Sequence, residues 1–282
     1  SPGDPGRHGS DRVTRVKAAV KAGLCSITFR TLAAEEVLTA AAAAGLAGIE
    51  WGADVHVQVG DLGRATAMGR RCADVGLACP SYGTYLMAGR STTDDGARAA
   101  DTAGALGVTN LRIWAPFGVL PDAPATEREE VAAGVDALAA VAAERGLTTS
   151  LEFHPGTLTE TAASTLDLLS AVNRPNLFTY WQPNPSLDDA SALEELAAVR
   201  PRLSHLHVFS WGTGFDDRQP LADGAGVWER ALEEPSGPDP WTDGGRERYA
   251  FLEYVLDDDP ANLPGDAVTL RAWLGAGEST DA

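Results

Sequence analysis

The sequence predicts a single (β/α)8 TIM barrel of the α/β class, and three observations support this. Short β-rich runs alternate with Ala-rich helical segments from Leu24 to the end of the chain. Eight such units occur, which is the number of strands that closes a barrel. Several helical segments stop at a glycine, and the next strand follows within a few residues. Strands that alternate with helices over short connections indicate a parallel sheet covered by helices.

The predicted elements follow one another in regular order. The strands are expected at 25–29, 48–51, 78–82, 110–114, 149–153, 177–181, 203–209 and 250–255. The helices between them are expected at 33–44, 64–75, 94–106, 127–145, 162–172 and 188–199. The glycines that end helices are Gly45, Gly76, Gly107 and Gly146. A doubly wound open sheet is the competing architecture, but its first strand usually runs into a Gly-rich turn. Here the first strand runs into Arg30-Thr31-Leu32, which contains no glycine.

Two segments fall outside the regular units. Residues 1–22 are predicted to be an N-terminal extension, and residues 23–282 form the barrel domain. Residues 212–245 are rich in Gly, Pro and Asp and make a long excursion before the last strand. Long loops at this face of a barrel usually cover or shape the active site.

The overall charge narrows the classes of partner. The formal net charge is -18, which repels nucleic acid and anionic membranes. No apolar run approaches the roughly 20 residues that span a bilayer. The first ten residues lack the apolar core of a signal peptide, and three scattered cysteines do not make a disulfide framework. We therefore expect a cytoplasmic protein with a small-molecule partner, and a homo-oligomer is left open.

Two kinds of chemistry are disfavoured by missing residues. Lys17 and Lys21 are the only lysines, and both precede the first predicted strand, so a buried Schiff-base lysine is not expected. No Gly-Lys-Ser/Thr sequence is present, so a phosphate-binding P-loop is absent.

Polar residues at the carboxyl ends of the last four strands are the main candidates for chemistry, because these ends face the active-site mouth of a barrel. By the period-two rule, the residues sharing one face of each strand are Glu152 and His154, Gln182 and Asn184, His205 and His207, and Glu253. Mixed oxygen and imidazole ligands suit a divalent cation.

Any one of these glutamates or histidines could instead be a paired structural residue. A purely structural role for both glutamates together is less favourable, because burying Glu152 and Glu253 is costly without a cation or partner. Arg112 could neutralise one of them or bind a substrate anion.

Further residues near the strand ends are candidates for substrate binding. The predicted aromatic walls are Trp51, Tyr82, Trp114, Trp181 and Trp211, since the C–H faces of a sugar ring pack well on such residues. The predicted hydroxyl- or anion-binding residues are Asp54, His56, Arg112, His205 and Arg218. Each of these could equally be a packing or surface residue.

Four short motifs resemble the xylose isomerase-like superfamily. They are Gly-Ile-Glu-Trp-Gly at 48–52, Leu-Glu-Phe-His at 151–154, His-Leu-His at 205–207 and Leu-Glu-Tyr at 252–254. The superfamily holds sugar isomerases, enzymes of the D-tagatose 3-epimerase type, hydroxypyruvate isomerase, inosose dehydratase and, more distantly, endonuclease IV. The resemblance extends over residues 20–273 and implies the fold far more specifically than the reaction.

The resemblance implies a divalent metal, Mn²⁺, Mg²⁺ or Co²⁺, held by four residues. These would be Glu152, Gln182, His207 and Glu253. The family usually has aspartate at the strand-six position, often followed three residues later by histidine, whereas this chain has Gln182 and Pro185. Two carboxylates and two neutral ligands balance a divalent cation, but the metal should bind less tightly and act as a stronger Lewis acid. Loss of the metal is the alternative.

The resemblance also implies isomerase or epimerase chemistry on a small sugar or keto-sugar. A glutamate would remove the proton alpha to a carbonyl, giving a metal-stabilised enediolate. Glu152 and Glu253 would be ligands and bases, and His154 would be an auxiliary acid/base. A lyase or dehydratase acting on a keto-sugar or keto-glycoside is the first alternative, and a non-catalytic sugar-binding barrel is the second. A nuclease is disfavoured, because five histidines and an acidic chain do not suit a three-metal cluster on DNA.

Overall fold

A computed structural model of the protein describes residues 20–233 and 239–275 and contains a closed barrel of eight parallel strands. The strands are β1 Lys21–Cys25, β2 Gly48–Gly52, β3 Ala78–Met87, β4 Asn110–Trp114, β5 Thr148–Leu151, β6 Leu177–Trp181, β7 Leu203–Val208 and β8 Tyr249–Leu252. Each strand pairs with its neighbour in the sequence, and β1 also pairs with β8 to close the barrel. The predicted (β/α)8 barrel is confirmed.

Helices cover the barrel on its outer side. They are α1 Ala34–Ala43, α2 Leu62–Asp74, α3 Thr93–Leu106, α4 Ala125–Ala143, α5 Ala162–Val172, α6 Asp189–Val199, α7 Ala225–Ala231 and, after a further short helix, α9 Leu263–Trp273. The short helix, α8 Pro240–Asp243, lies instead near the amino ends of the strands, where Trp241 packs against Phe178 and His205. The glycines predicted to end helices at 45, 76, 107 and 146 all adopt a left-handed backbone, with φ between 67° and 83°. This conformation lets the chain leave the helix and enter the next strand without a Cβ clash.

The first strand lies earlier in the chain than predicted. β1 covers Lys21–Cys25, and Ser26–Phe29 forms a buried 3-10 turn instead of a strand. A short run of apolar and β-branched residues fits either a strand or a buried turn, so the sequence pattern does not separate them. Ser26 then sits beneath the loop after β2, where its Oγ accepts the backbone N–H of Gly52 at 2.8 Å.

The two segments outside the regular units are partly described. Residues 1–19 of the expected extension lie outside the described residues, and Lys21 already belongs to β1 at the amino end of the barrel. The excursion at 212–245 contains α7 and α8, which sequence reasoning treated as loop. In the described ranges, no helix is long and apolar enough to cross a bilayer.

The barrel has two layers of buried side chains. Cys25, Tyr180, Tyr249 and Phe251 belong to a small cluster inside the barrel. A much larger cluster fills the space between strands and helices. Because successive side chains of a strand point to opposite faces, each residue near a strand end faces either the interior or the helices. This alternation decides which residues can form a site.

Candidate active site

His207 lies at the centre of a buried polar cluster near the carboxyl ends of the strands. Its Nδ1 atom is 3.1 Å from Glu152 Oε1 and 3.5 Å from Glu253 Oε2. Its Nε2 atom is 3.2 Å from Glu50 Oε1. Glu152 and Glu253 directly follow β5 and β8, which are not adjacent in the barrel. Two carboxylates therefore approach the same ring nitrogen from different sides.

Arg112 on β4 neutralises part of this negative charge. Its Nη1 atom is 2.6 Å from Glu152 Oε2 and 3.4 Å from Glu50 Oε1, and all three side chains are buried. Gly83 on β3 leaves room for the guanidinium, because a Cβ there would lie 2.8 Å from Arg112 Nη2. Of the two roles considered for Arg112, the structure shows the first, pairing with a buried carboxylate.

The pKa values of the cluster follow from burial and from these charges. Burial raises the pKa of Glu152, but Arg112 and His207 outweigh it and hold that pKa below its ordinary value. Burial raises the pKa of Glu253, and the charge of Glu152 adds to this despite the opposing effect of His207. Burial lowers the pKa of His207, but Glu253, Glu152 and Glu50 outweigh it and raise that pKa well above its usual range. Without a metal, a proton on His207 thus supplies positive charge to the cluster.

Gln182 offers a further oxygen at the carboxyl end of the strand that lies between β5 and β7. It directly follows β6, and its Oε1 atom is buried with no hydrogen-bond partner in the described part of the chain. A buried amide oxygen left without a partner costs about 1–3 kcal/mol. Oxygens of Glu152, Gln182 and Glu253 with the Nδ1 atom of His207 form a donor set that suits Mg²⁺, Mn²⁺ or Co²⁺. The residues present therefore fit a divalent cation.

The charges also balance when a divalent cation is included. Three carboxylates, of Glu50, Glu152 and Glu253, face one guanidinium, of Arg112. A divalent cation would bring the cluster to neutrality with Gln182 and His207 uncharged. Buried charges are tolerated when they are compensated in this way.

Cys25 is a neighbour of the cluster that sequence reasoning did not include. Its Sγ atom and ligand atoms of His207 and Glu253 lie within 4.8 Å of one another. Burial, together with the charge of Glu50, raises the pKa of the Cys25 thiol to about 12, so it stays protonated. A protonated thiol is a poor ligand for hard cations, which prefer oxygen.

Glu50 is the most important residue that sequence reasoning missed, although the motif Gly-Ile-Glu-Trp-Gly was noted. On β2, Glu50 points into the barrel and Trp51 points outward. The period-two rule, applied to β2 as it was to the later strands, offers this choice between the two residues. The contact that identifies Glu50 as the inner residue is with His207 on β7, which is distant in the sequence.

Three of the expected aromatic wall residues face the helices, which corrects their expected place at the mouth. Trp51 and Tyr82 belong to the core outside the barrel, and Tyr82 Oη donates to the carbonyl oxygen of Val57 at 2.5 Å. Trp181 packs against Trp228 of α7, with ring centroids 5.7 Å apart. Each of the three directly follows an inward-facing residue of its strand, so alternation turns it outward. None of the three is part of the proposed site.

Trp114 belongs to an aromatic group, which we call the first wall, at the ends of β3 to β5. Its ring centroid lies 6.2 Å from that of Tyr85, 5.2 Å from that of Phe117 and 5.1 Å from that of His154. Tyr85 and Phe117 are partly exposed to solvent. His154 thus lies in the first wall, and the structure gives it no contact with His207.

Trp211 belongs to a second wall, after β7 and β8. Its ring stacks on Phe209 at 3.9 Å between centroids and meets Phe215 at 5.3 Å. The Arg218 guanidinium lies 3.9 Å from the ring centroid of Tyr254 and forms an ion pair with Asp258. Arg218 is therefore close to the mouth, but its charge is already compensated.

Two expected substrate-binding residues lie in the loop after β2. Asp54 forms an ion pair with Arg30. His56 is buried, with Nδ1 2.9 Å from Ser26 Oγ and Nε2 3.2 Å from the carbonyl oxygen of Leu32. These contacts support the loop, and none of them joins the cluster around His207.

His205 lies deeper in the barrel than the mouth. It is one inward position earlier than His207 on β7, and its Nδ1 atom accepts the backbone N–H of Tyr249, the first residue of β8, at 3.1 Å. Burial lowers the pKa of His205 to about 3, so the ring is neutral. This position toward the amino ends of the strands separates His205 from the proposed substrate site.

Comparisons with known proteins agree with this architecture. A family model described as xylose isomerase-like TIM barrel matches residues 38–234. The probable 3-DHS dehydratase AsbF from Bacillus anthracis superposes with a TM-score of 0.71 at 20% identity, covering 89% of this chain and 98% of that one. D-allulose 3-epimerase from Methylomonas sp., solved in complex with D-allulose, gives 0.62 at 20% identity, covering 90% and 97%.

A third similar structure contains a metal ion. A xylose isomerase-like TIM barrel protein from Mycobacterium smegmatis, solved in complex with magnesium, gives a TM-score of 0.65 at 15% identity, covering 91% of this chain and 97% of that one. No curated protein matches the chain in sequence. At these identities the structural likeness shows the fold, and the family model covers more than half of the chain. The chain therefore belongs to the xylose isomerase-like TIM barrel family.

Proposed function

We propose that the protein is a divalent-metal-dependent isomerase or epimerase of a small sugar or keto-sugar. One observation carries the proposal: Glu152 and Glu253 converge on the same nitrogen of His207 from non-adjacent strands. Gln182, whose buried oxygen has no partner among the described residues, follows the strand between those of Glu152 and His207. The cation would be held by Glu152, Gln182, His207 and Glu253, and Mn²⁺, Mg²⁺ and Co²⁺ are the proposed ions.

When bound, the cation would polarise a substrate carbonyl and offset the negative charge that develops when the neighbouring carbon loses its proton. The protein's own residues would move that proton. Glu152 is bound through Oε2 to Arg112, which lowers its basicity. Glu253 has no ion pair with Arg112 within the described residues, and its pKa is raised by burial. Glu253 would therefore be the better base, and Glu152 would serve a second face of the substrate.

The two aromatic walls would hold the sugar over this cluster. The first wall, around Trp114, and the second wall, around Trp211, follow different sets of strands. Partly exposed aromatic rings of this kind pack on the C–H faces of sugars. The D-allulose complex of the Methylomonas epimerase, a protein of the same fold, is consistent with a sugar substrate here. The cytoplasmic location expected from the sequence stays a prediction.

Solvent deuterium exchange tests the proposal. The protein is loaded with Mn²⁺ or Mg²⁺ and incubated in D₂O with a panel of ketoses and keto-sugars, and deuterium at the carbon alpha to the carbonyl is measured by NMR. The wild-type protein should incorporate deuterium, and Glu253→Gln should lower the rate by about 10²-fold or more because it removes the base. Trp114→Phe, which keeps an aromatic ring in the first wall, is the matched control and should change the rate far less.

Three outcomes would contradict the proposal. Sugar binding without exchange or turnover would point to a non-catalytic barrel. Turnover that retains the substrate hydrogen would exclude proton removal to solvent, provided that exchange is measured over many turnovers. Elimination products in place of isomers would support proton removal by the protein but would identify it as a lyase instead of an isomerase.

A further inference from the structure

We propose that Glu50 is a positioning residue that holds the His207 ring with Nε2–H directed away from the metal and Nδ1 directed toward it. This inference rests on the proposed function, because it assigns a role at the same site. It concerns a residue that is not among the four expected ligands and that acts through His207.

The contacts of Glu50 place it on the far side of the imidazole from the other two carboxylates. Glu50 Oε1 is 3.2 Å from His207 Nε2, whereas Glu152 Oε1 and Glu253 Oε2 are 3.1 Å and 3.5 Å from Nδ1. A neutral imidazole has one N–H donor and one lone pair. When the N–H is donated to Glu50, the lone pair lies at Nδ1, where the two expected ligand carboxylates and the cation would be.

A chain of hydrogen bonds holds Glu50 in this position. Tyr180 Oη lies 2.5 Å from Glu50 Oε2 and 2.6 Å from Ser81 Oγ. A phenol has one proton, and the carboxylate can only accept, so Tyr180 donates to Glu50. Ser81 then donates its own proton to Tyr180.

Asn110 sets the direction of this chain. Its Oδ1 atom accepts from the hydroxyls of Thr148 and Ser150, each at 2.9 Å. Its Nδ2 atom therefore faces Ser81 Oγ, at 3.1 Å, and donates to it. Every donor from Asn110 through Ser81 and Tyr180 points toward Glu50, so the carboxylate is held in one position.

A purely structural role as a partner of Arg112 is the alternative for Glu50. The nearer partner of Arg112 is Glu152, at 2.6 Å, compared with 3.4 Å for Glu50. The contacts of Glu50 with His207 and Tyr180 are shorter than its contact with Arg112. The two roles differ in their effects on the metal, because only a positioning role changes which nitrogen of His207 binds it.

The test compares metal binding and the state of the His207 ring in three variants. Glu50→Gln removes the carboxylate charge, Tyr180→Phe removes the hydrogen bond that holds it, and Asp266→Asn is the matched control. Asp266 is a buried carboxylate on α9 that accepts the backbone N–H of Leu221 at 2.9 Å, and it has no contact with His207 in the described residues. Calorimetry gives the affinity for Mg²⁺ and Mn²⁺. Long-range ¹H–¹⁵N NMR of the ¹⁵N-histidine-labelled Mg²⁺ protein identifies the bound and protonated ring nitrogens.

The proposal predicts that wild-type His207 binds Mg²⁺ through Nδ1 and keeps its proton on Nε2. Glu50→Gln should weaken metal binding about 10–100-fold, as for other residues that orient metal-binding histidines. The His207 ring of this variant should no longer show one bound nitrogen and one protonated nitrogen as a single state. Tyr180→Phe should weaken binding roughly 2–10-fold, the effect of one hydrogen bond. Asp266→Asn should match the wild type.

The contrary results separate this inference from the proposed function. A wild-type protein that binds neither cation refutes the metal-dependent function, and the Nε2–H resonance of the metal-free protein then tests the Glu50 contact alone. A wild-type protein that binds the cation, with Glu50→Gln giving the same affinity and ring state, overturns the role of Glu50 only. If Glu50→Gln does not fold, wild-type affinity in Tyr180→Phe overturns it.

Discussion

Replacing Arg112 by methionine should destabilise the metal-free protein and make its stability depend on the metal. Methionine keeps much of the side-chain length but removes the charge that faces Glu152 at 2.6 Å and Glu50 at 3.4 Å. These groups are no more than 2% exposed, so water cannot replace the lost partner. Removing one partner of a buried ion pair typically costs about 3–5 kcal/mol. We expect a loss of this size in the free energy of unfolding.

A divalent cation should restore part of this loss. Without Arg112 the carboxylates attract the cation more strongly, and a ligand at 100 times its Kd stabilises a folded protein by about 2.7 kcal/mol. The stabilisation by saturating Mn²⁺ should therefore be larger in Arg112→Met than in the wild type at the same metal concentration. Arg112→Lys keeps the charge and is the matched control, with a smaller loss expected.

Urea unfolding with and without Mn²⁺, followed by circular dichroism, measures both effects. Equal unfolding midpoints for Arg112→Met and the wild type in the absence of metal would refute the assignment of Arg112 as the essential counter-charge. If Mn²⁺ stabilises Arg112→Met no more than it stabilises the wild type, the link between Arg112 and the cation site would be refuted.

Gln182→Asp should tighten Mg²⁺ and Mn²⁺ binding, because it adds a carboxylate. Calorimetry measures the affinity, and unchanged or weaker binding would place residue 182 outside the site. Gly83→Ala should lower the free energy of unfolding by about 1–3 kcal/mol, measured with urea, because its Cβ would lie 2.8 Å from Arg112 Nη2. An unchanged free energy would show that the guanidinium can move. Burial lowers the pKa of His56, so the folded state favours the neutral ring, and this contribution to stability is full above about pH 6.5 and is lost as the pH falls toward the lowered pKa. The unfolding midpoint of His56→Gln should accordingly fall less than that of the wild type between pH 7.5 and about pH 5.5, and parallel curves would contradict this.

Much of the fold could be predicted because each βα unit is a local pattern. The predicted bounds of β4, β6 and α5 agree with the structure. Helix-ending glycines such as Gly107 mark the ends of units through a backbone conformation that the residue itself favours. The first strand was misplaced because a run as short as Ser26–Phe29 carries no signal that separates a strand from a buried turn.

The interior of the site was predicted only in part, for two physical reasons. Alternation fixes which residues share a face but not which face is inside, so Trp51 was chosen on β2 where Glu50 points inward. The contacts of Arg112 with Glu152 and of Tyr180 with Glu50 join strands that are distant in the sequence. Such contacts depend on the register and closure of the whole barrel, which no local pattern encodes.

The position of a bound metal ion tests the central claim most directly. Crystals grown with Mn²⁺ would locate the ion by its anomalous scattering. We predict one ion within about 2.5 Å of oxygens of Glu152, Gln182 and Glu253 and of the Nδ1 atom of His207. An ion bound elsewhere, an ion bound through Nε2 of His207, or no ion at a saturating concentration would contradict the account.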